Sequence, residues 1–294
     1  MTKFIFKNGR VQPVGKVLSF PQTEILDISP TDSTDSPTID NALALQAKDI
    51  PIAPPVITQL YKFCPKEYNP KFGYRYLQLG TLTYYREMES NKNISDGGEG
   101  MHLINILDYN PKDADKSLSN NLQLPFGNAI YNRCFLRLSS PNCYLFCLSI
   151  NNSKSITGNR FCDNYDSLYR IKDLDRFINI VAQNIWKEIT IQHFEESAIE
   201  QLRDKDTFLN NTVLEVIHGS ISYNDTKYTI IQNSKVWEEK SVPAPAEIIF
   251  TKDVKYTNDE EYRIAFFFVH EGLIVPVKST PILITCEGIL DIIE

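Results

Sequence analysis

Glu261-Tyr-Arg-Ile-Ala-Phe-Phe-Phe-Val-His270 carries apolar residues at both odd and even positions. Strand side chains alternate between the two faces, so a run that is apolar on both belongs inside a sheet, covered above and below. The stretch predicts a central strand, and the rest of the chain is read around it. Residues 213–223 and 227–232 are rich in β-formers and predict a hairpin across Asn224-Asp225-Thr226. Residues 247–251 and 282–286 predict two further strands on either side of the central one. Upstream, 134–138 and 143–150 predict strands separated by Ser139-Ser140-Pro141-Asn142.

The clearest helix falls in the middle of the chain. Over residues 173–192, Leu174, Phe177, Ile178, Val181, Ile185 and Ile189 recur at helical spacing, and Asp173 is placed to cap. A second helix is expected over 194–208. Further back, 57–63 opens the folded part as a strand or short helix. Residues 74–85 are dense in aromatics and Leu, with Gly80-Thr81 as an expected interruption, and 107–128 lack any period. Strand–helix–strand order with a late run of strands gives an α+β class, with a mixed, mainly antiparallel sheet and a few helices in the middle of the chain.

Residues 1–55 hold seven of the 16 prolines, and Ser29 to Thr38 has no apolar residue except proline. Such a stretch buries too little surface to offset the entropy of ordering. The expected organisation is a flexible Pro/Ser/Thr/Asp-rich tail, 1–55, and a single domain, 56–294. Within the tail, residues 3–18 contain β-formers around Asn8-Gly9 and predict a short strand pair. The tail reads as a linker, a translocation signal or an arm for a protein partner.

With 30 Lys and Arg against 37 Asp and Glu, the net charge is −7. That disfavours a broad basic surface for nucleic acid, while a local basic groove stays open. No apolar run reaches the ~20 residues of a membrane span, and no secretory leader is evident, so the expected compartment is the cytoplasm. The six cysteines lack metal-site spacing and read as reduced, buried thiols. No P-loop, dinucleotide fingerprint, nucleophile elbow or HExxH motif occurs, and no metal is expected.

Three segments recur in a recognisable order. The first holds Leu60-Tyr-Lys-Phe63, then Tyr76 to Tyr85, then Ile94-Ser-Asp-Gly-Gly-Glu-Gly100. The second is Leu145-Phe-Cys-Leu-Ser149, and the third is Phe250-Thr-Lys252, Tyr256 and Asp259-Glu-Glu-Tyr-Arg-Ile264. Together they resemble the abortive-phage-resistance AbiGi-like family and its uncharacterised bacterial relatives. This chain lacks the proline and phenylalanine that the family places near residue 96, and has Cys-Leu-Ser where the family has Cys-Phe-Ser. The resemblance implies a bacterial phage-defence or toxin-like context.

The same layout is similar to that of ADP-ribosyltransferases, with an early cation, a middle serine and a late pair of carboxylates. That likeness implies NAD as cofactor, held by Lys62 or Arg75, with Ser149 lining the pocket. Glu261 would stabilise the charge that builds on the ribose, and Asp259 would assist the acceptor. The residues themselves leave other readings open. Glu261 and Arg263 share a strand face and form a surface pair equally well. Lys62 between aromatics is a snorkelling lysine or a pocket cation. Two other functions stay in view: a non-enzymatic sensor or partner-binding module of a phage-defence system, and a secreted bacterial effector.

Overall fold

The computed structural model describes residues 2–7, 10–12, 24–30, 59–88, 98, 100–109, 131–150, 165–200, 202, 205, 207–224, 227–231 and 248–294. The fold is α+β. Its strands in chain order are β1 (Thr2–Lys7), β2 (Arg10–Gln12), β3 (Glu24–Pro30), β4 (Leu60–Cys64), β5 (Tyr76–Thr81), β6 (Met101–Tyr109), β7 (Tyr131–Ser139) and β8 (Tyr144–Ser149). They continue with β9 (Ser167–Ile171), β10 (Thr212–Ser220), β11 (Ser222–Tyr223), β12 (Lys227–Ile231), β13 (Thr251–Lys252), β14 (Glu261–His270), β15 (Leu273–Val275) and β16 (Ile282–Thr285).

The main sheet runs β16-β5-β8-β14-β10-β1-β2, with β15 also on β14, β4 on β8, and β9 on β4. All of these pairings are antiparallel. The central strand is β14, and every one of its residues is buried, as its two-faced apolar pattern requires. Tyr262, Ile264, Phe266 and Phe268 join the larger core, and Ala265 and Phe267 join a second one. Their alternation assigns the two clusters to opposite faces of the sheet.

The helix α1 (Leu174–Glu188) packs into the larger core. Asp173 caps it by accepting the Arg176 N–H at 3.0 Å. Phe177 meets Phe146, Trp186 meets Phe268 edge-on, and Phe177, Ile178, Val181, Ala182 and Ile185 are buried together. The Asn184 amide donates to the carbonyls of Thr285 and Glu287, which fastens the helix to the end of β16. The helix stops before the expected residue 192, because Ile189 and Thr190 are extended.

Several local expectations fail for identifiable reasons. The hairpin of 213–223 with 227–232 does not form. Strand β10 has both edges occupied, by β14 and by β1, so β12 pairs in parallel with β6 in a separate four-stranded sheet, β12-β6-β7-β3. The helix expected over 194–208 is reduced to short turns at Glu196–Glu200 and Phe208–Asn211. Gly80-Thr81 does not interrupt β5, which runs through both residues; the glycine is needed because the Tyr85 ring lies where a Cβ would stand. Of the stretch 247–251, residue 247 lies outside the described residues, and among the described ones only Thr251 is in a strand, since Ile248 and Ile249 are helical. In the period-free stretch 107–128, residues 107–109 end β6, and the remainder lies outside the described residues.

Among the described residues of the stretch expected as a tail, three strands occur. β1 and β2 pair with Lys7 opposite Arg10, as the β-formers around Asn8-Gly9 predict. β1 also adds to the main sheet on β10, and β3 pairs with β7. The Ser29 to Thr38 reading lies, beyond Pro30, outside the described residues. Among the described residues, no helix is long and apolar enough to cross a membrane.

Candidate functional site

One edge of β8 is shared between two strands. β5 pairs with its first residues, Gly80 with Leu145 and Thr81 with Tyr144. β4 reaches only its last, Tyr61 with Ser149. Between them the sheet forks and exposes the β8 edge to a cleft. A backbone carbonyl left without a ladder partner in such a fork must be satisfied otherwise. Here the half-buried Lys62 supplies the donor: its Nζ donates to the Cys147 carbonyl at 2.9 Å and lies 4.8 Å from the Phe146 ring centroid.

The cleft encloses about 350 Å³, within the size range of small-molecule sites. Its lining brings together Lys62, Ser149, Asp259 and Glu261. Arg75, expected as an alternative phosphate ligand, does not line it. That side chain is exposed, and its carbonyl accepts the Cys286 N–H at the outer side of β5. Of the two cations expected to hold phosphate, Lys62 on β4 is the one that lines the cleft.

Glu261 starts β14 opposite Ser149. Asp259 lies outside that strand. Asp259 ends a 3-10 helix, Val254–Asp259, and Glu260 turns the chain through the left-handed region at φ 43° before the strand begins. Both carboxylates nevertheless reach one cation. Lys252 Nζ stands 2.8 Å from Glu261 Oε2 and 3.6 Å from Asp259 Oδ2, with the Tyr256 ring 5.3 Å away. On the other side Arg263 Nε donates to Glu261 Oε1 at 2.5 Å, while Nη1 donates to the Ile249 carbonyl at 2.5 Å. Glu261 is 8% exposed and Arg263 1%, so this is a buried pair and not the surface pair that the spacing allowed.

Lys252 is placed by backbone pairing. β13 runs parallel to β11, with Tyr223 opposite Lys252. The Tyr223 hydroxyl in turn accepts the Glu261 N–H at 2.8 Å. Lys252 belongs to the segment Phe250-Thr-Lys252, whose sequence alone assigns it no role. A lysine two residues after the apolar run Ile248-Ile-Phe250 is the available signal, because the burial of that run continues through Thr251 to Lys252.

Burial by itself would raise the Glu261 carboxyl. The Arg263 guanidinium and then the Lys252 ammonium outweigh it and hold the group far below the usual carboxylate range. Glu261 is therefore a fixed negative charge. The Cys147 thiol beside it is pushed up to about 12 by burial and then by the Glu261 charge, which makes it a poor nucleophile. Cys64, Cys143 and Cys286 are buried. Among the described residues, no three His, Cys, Asp or Glu side chains cluster as metal ligands would.

Three cations, Lys62, Lys252 and Arg263, face two carboxylates, Asp259 and Glu261, and eight tyrosines complete the wall with Phe63 and Phe146. A net positive floor under aromatic walls suits a ligand that is both anionic and flat. Comparison of the chain with family models, with curated proteins and with solved structures finds no significant match.

Proposed function

We propose that the fork in the sheet is a nucleotide site of the NAD class, and that the protein is an ADP-ribosyltransferase-like enzyme of the abortive-infection, toxin-like type. The observation that supports this reading is the convergence of Lys62, Ser149, Asp259 and Glu261 on one tyrosine-rich cleft. Aromatic walls take the flat bases by stacking, and Lys62 with Lys252 takes the phosphates. Glu261, ionised at every physiological pH, is too weak a base to move a proton. Its work is electrostatic: each carboxylate oxygen has lone pairs beyond the one engaged by Lys252 or Arg263, and these accept from the ribose hydroxyls. The bond from ribose to nicotinamide breaks with its electron pair leaving on nicotinamide. The acceptor's nucleophile forms the new bond to that ribose carbon, and its proton passes to Asp259. The test is incubation of the full chain with labelled NAD and bacterial lysate. Nicotinamide release with transfer of label supports the reading; a folded protein that does neither sinks it.

A second reading, a nucleotide-sensing module without turnover, is favoured by the double pairing of Glu261. Lys252 and Arg263 offset the negative charge that a developing ribosyl cation needs. Calorimetry separates the two: a sensor binds NAD and leaves it intact. In that reading the N-terminal stretch serves as the arm for a protein partner.

A further inference from the structure

Beside the cleft, the segment from Lys66 to Tyr76 forms a ledge that exposes aromatic rings to solvent. Phe72 is 61% exposed and Tyr68 52%, and Tyr76 is also exposed. Large apolar side chains gathered on the surface mark a contact site more often than a folding requirement. The same segment interleaves Lys66, Lys71 and Arg75, all exposed, with Glu67 as its one acidic residue. This is a local exception to a chain whose net charge is −7.

The ledge is held firmly from beneath. Two 3-10 turns, Lys66–Tyr68 and Pro70–Phe72, meet at the wholly buried Asn69. The Asn69 side chain accepts the Lys71 N–H at 2.9 Å and donates to Ser167 Oγ and to the Leu168 carbonyl on β9. Asp166 accepts the Lys66 N–H at 2.7 Å. Gly73, at φ 96°, turns the chain towards β5. The exposed rings thus stand on a preorganised frame. Lys66 Nζ lies 4.9 Å from the Phe72 ring centroid, so charge and ring share one surface. Tyr74 meets both Tyr68 and Tyr76 edge-to-face, with centroids 5.3 and 6.0 Å apart, and these three tyrosines continue into the cleft wall.

Rings spaced among cations, on a rigid support, match the chemistry of an unpaired polynucleotide: bases stack on the rings and phosphates meet the cations. A duplex hides its base faces and has no use for the rings. We infer that the ledge of Lys66 to Tyr76 binds single-stranded nucleic acid, with the strand running along the rings towards the mouth of the cleft. The inference goes beyond the NAD reading and does not depend on it, because neither Lys71 nor Phe72 lines the cleft.

The test is fluorescence anisotropy with the full chain and labelled oligouridylate, oligothymidylate and a duplex of mixed sequence. Binding of the single strands in preference to the duplex is expected. Three cations give a slope of log affinity against log salt of about −2. Phe72→Ala should weaken binding roughly tenfold, as loss of one stacking ring does, and Lys71→Glu should reduce both affinity and salt slope. Both positions are exposed, and unchanged melting temperatures check that the variants are folded. Absence of single-strand binding overturns the inference, as does equal binding of the duplex or binding untouched by both substitutions. NAD calorimetry on the same variants should match the unaltered protein. If NAD fails to bind any form while oligonucleotides bind the unaltered chain, the NAD reading falls and the ledge stands.

Discussion

Lys252 Nζ lies within 2.8 Å of Glu261 and within 3.6 Å of Asp259, although Lys252 is on β13, Asp259 ends a 3-10 turn and Glu261 opens β14. One ammonium therefore binds the two carboxylates to each other, and Arg263 closes the group from below. The consequence is that each charged residue here has a structural duty beside any chemical one.

Glu261→Gln is expected to cost both stability and function. Glutamine keeps the size, but its amide presents donors to a cation and leaves two buried positive charges underbalanced. Removing one partner of a buried pair costs ~3–5 kcal/mol, which lowers the melting temperature by roughly ten degrees for a chain of this size. At a temperature where the variant is still folded, ribosyl transfer should fall on the order of a hundredfold. Glu260→Gln is the control and should do little. Equal loss from both would remove Glu261 from the chemistry.

The shared ammonium should show up as energetic coupling. Lys252→Met and Glu261→Gln, made singly and together, are expected to be non-additive by ~1–3 kcal/mol in urea unfolding. Additive effects would mean that the contact contributes nothing of its own.

Lys62→Met is expected to separate binding from folding. The lysine is only half-buried, and methionine keeps the apolar stem against Phe146. Affinity for NAD or ADP-ribose should fall about tenfold, the scale of one charge-assisted hydrogen bond, with a small change in melting temperature. Unchanged affinity would take Lys62 out of the ligand site.

Acid should unfold the protein in two stages. Burial lowers His102 and His218 from 6.5 to about 4. Their folded values lie below their unfolded values, so between pH 6.5 and 4 the unfolded chain binds more protons and stability falls as pH falls. Glu261, also depressed from its ordinary 4.5, contributes stability that is full above about 4.5 and is lost below it. Melting temperature should thus decline most steeply between pH 6.5 and 4, where both histidines gain protons on unfolding, and continue to decline more gently below pH 4, where Glu261 alone contributes. A flat profile between pH 7 and 4 would contradict the buried neutral state of both histidines.

Gly80→Ala should disturb the cleft from behind. A Cβ at residue 80 would stand 2.7 Å from the Tyr85 ring, and Tyr85 lines the cleft. Overpacking of this kind costs ~1–3 kcal/mol, and the displaced ring should change NAD affinity as well. Chemical denaturation with calorimetry on the same variant checks both.

The strand Glu261–His270 was legible because an apolar run on both faces has only one comfortable place in a sheet. The helix from Leu174 was legible because its period and its Asp173 cap agree. Lys62, Ser149, Asp259 and Glu261 were gathered through the resemblance, while Arg75 was not separable from Lys62, since which of two cations faces inward depends on a fork that only strand pairing defines. The hairpin of 213–223 with 227–232 failed for a similar reason: a short polar loop favours local pairing, and the competing partners of β10 are far away in the chain. The same holds for Lys252, whose position is set by Tyr223 on a distant strand.

Strand β1 lies against β10, with Thr2 opposite His218 and Phe6 opposite Leu214. Strand β1 thus leaves the ribosome long before its partner β10 is made, and β14 joins β8, another remote piece. Contacts between distant segments slow folding, and until they form the edge of β10 stays open to other chains. Synthesis in the cell is therefore a hazard period for this protein. Slower translation or a captured N-terminal strand should lower the yield of folded chain without altering any residue of the cleft.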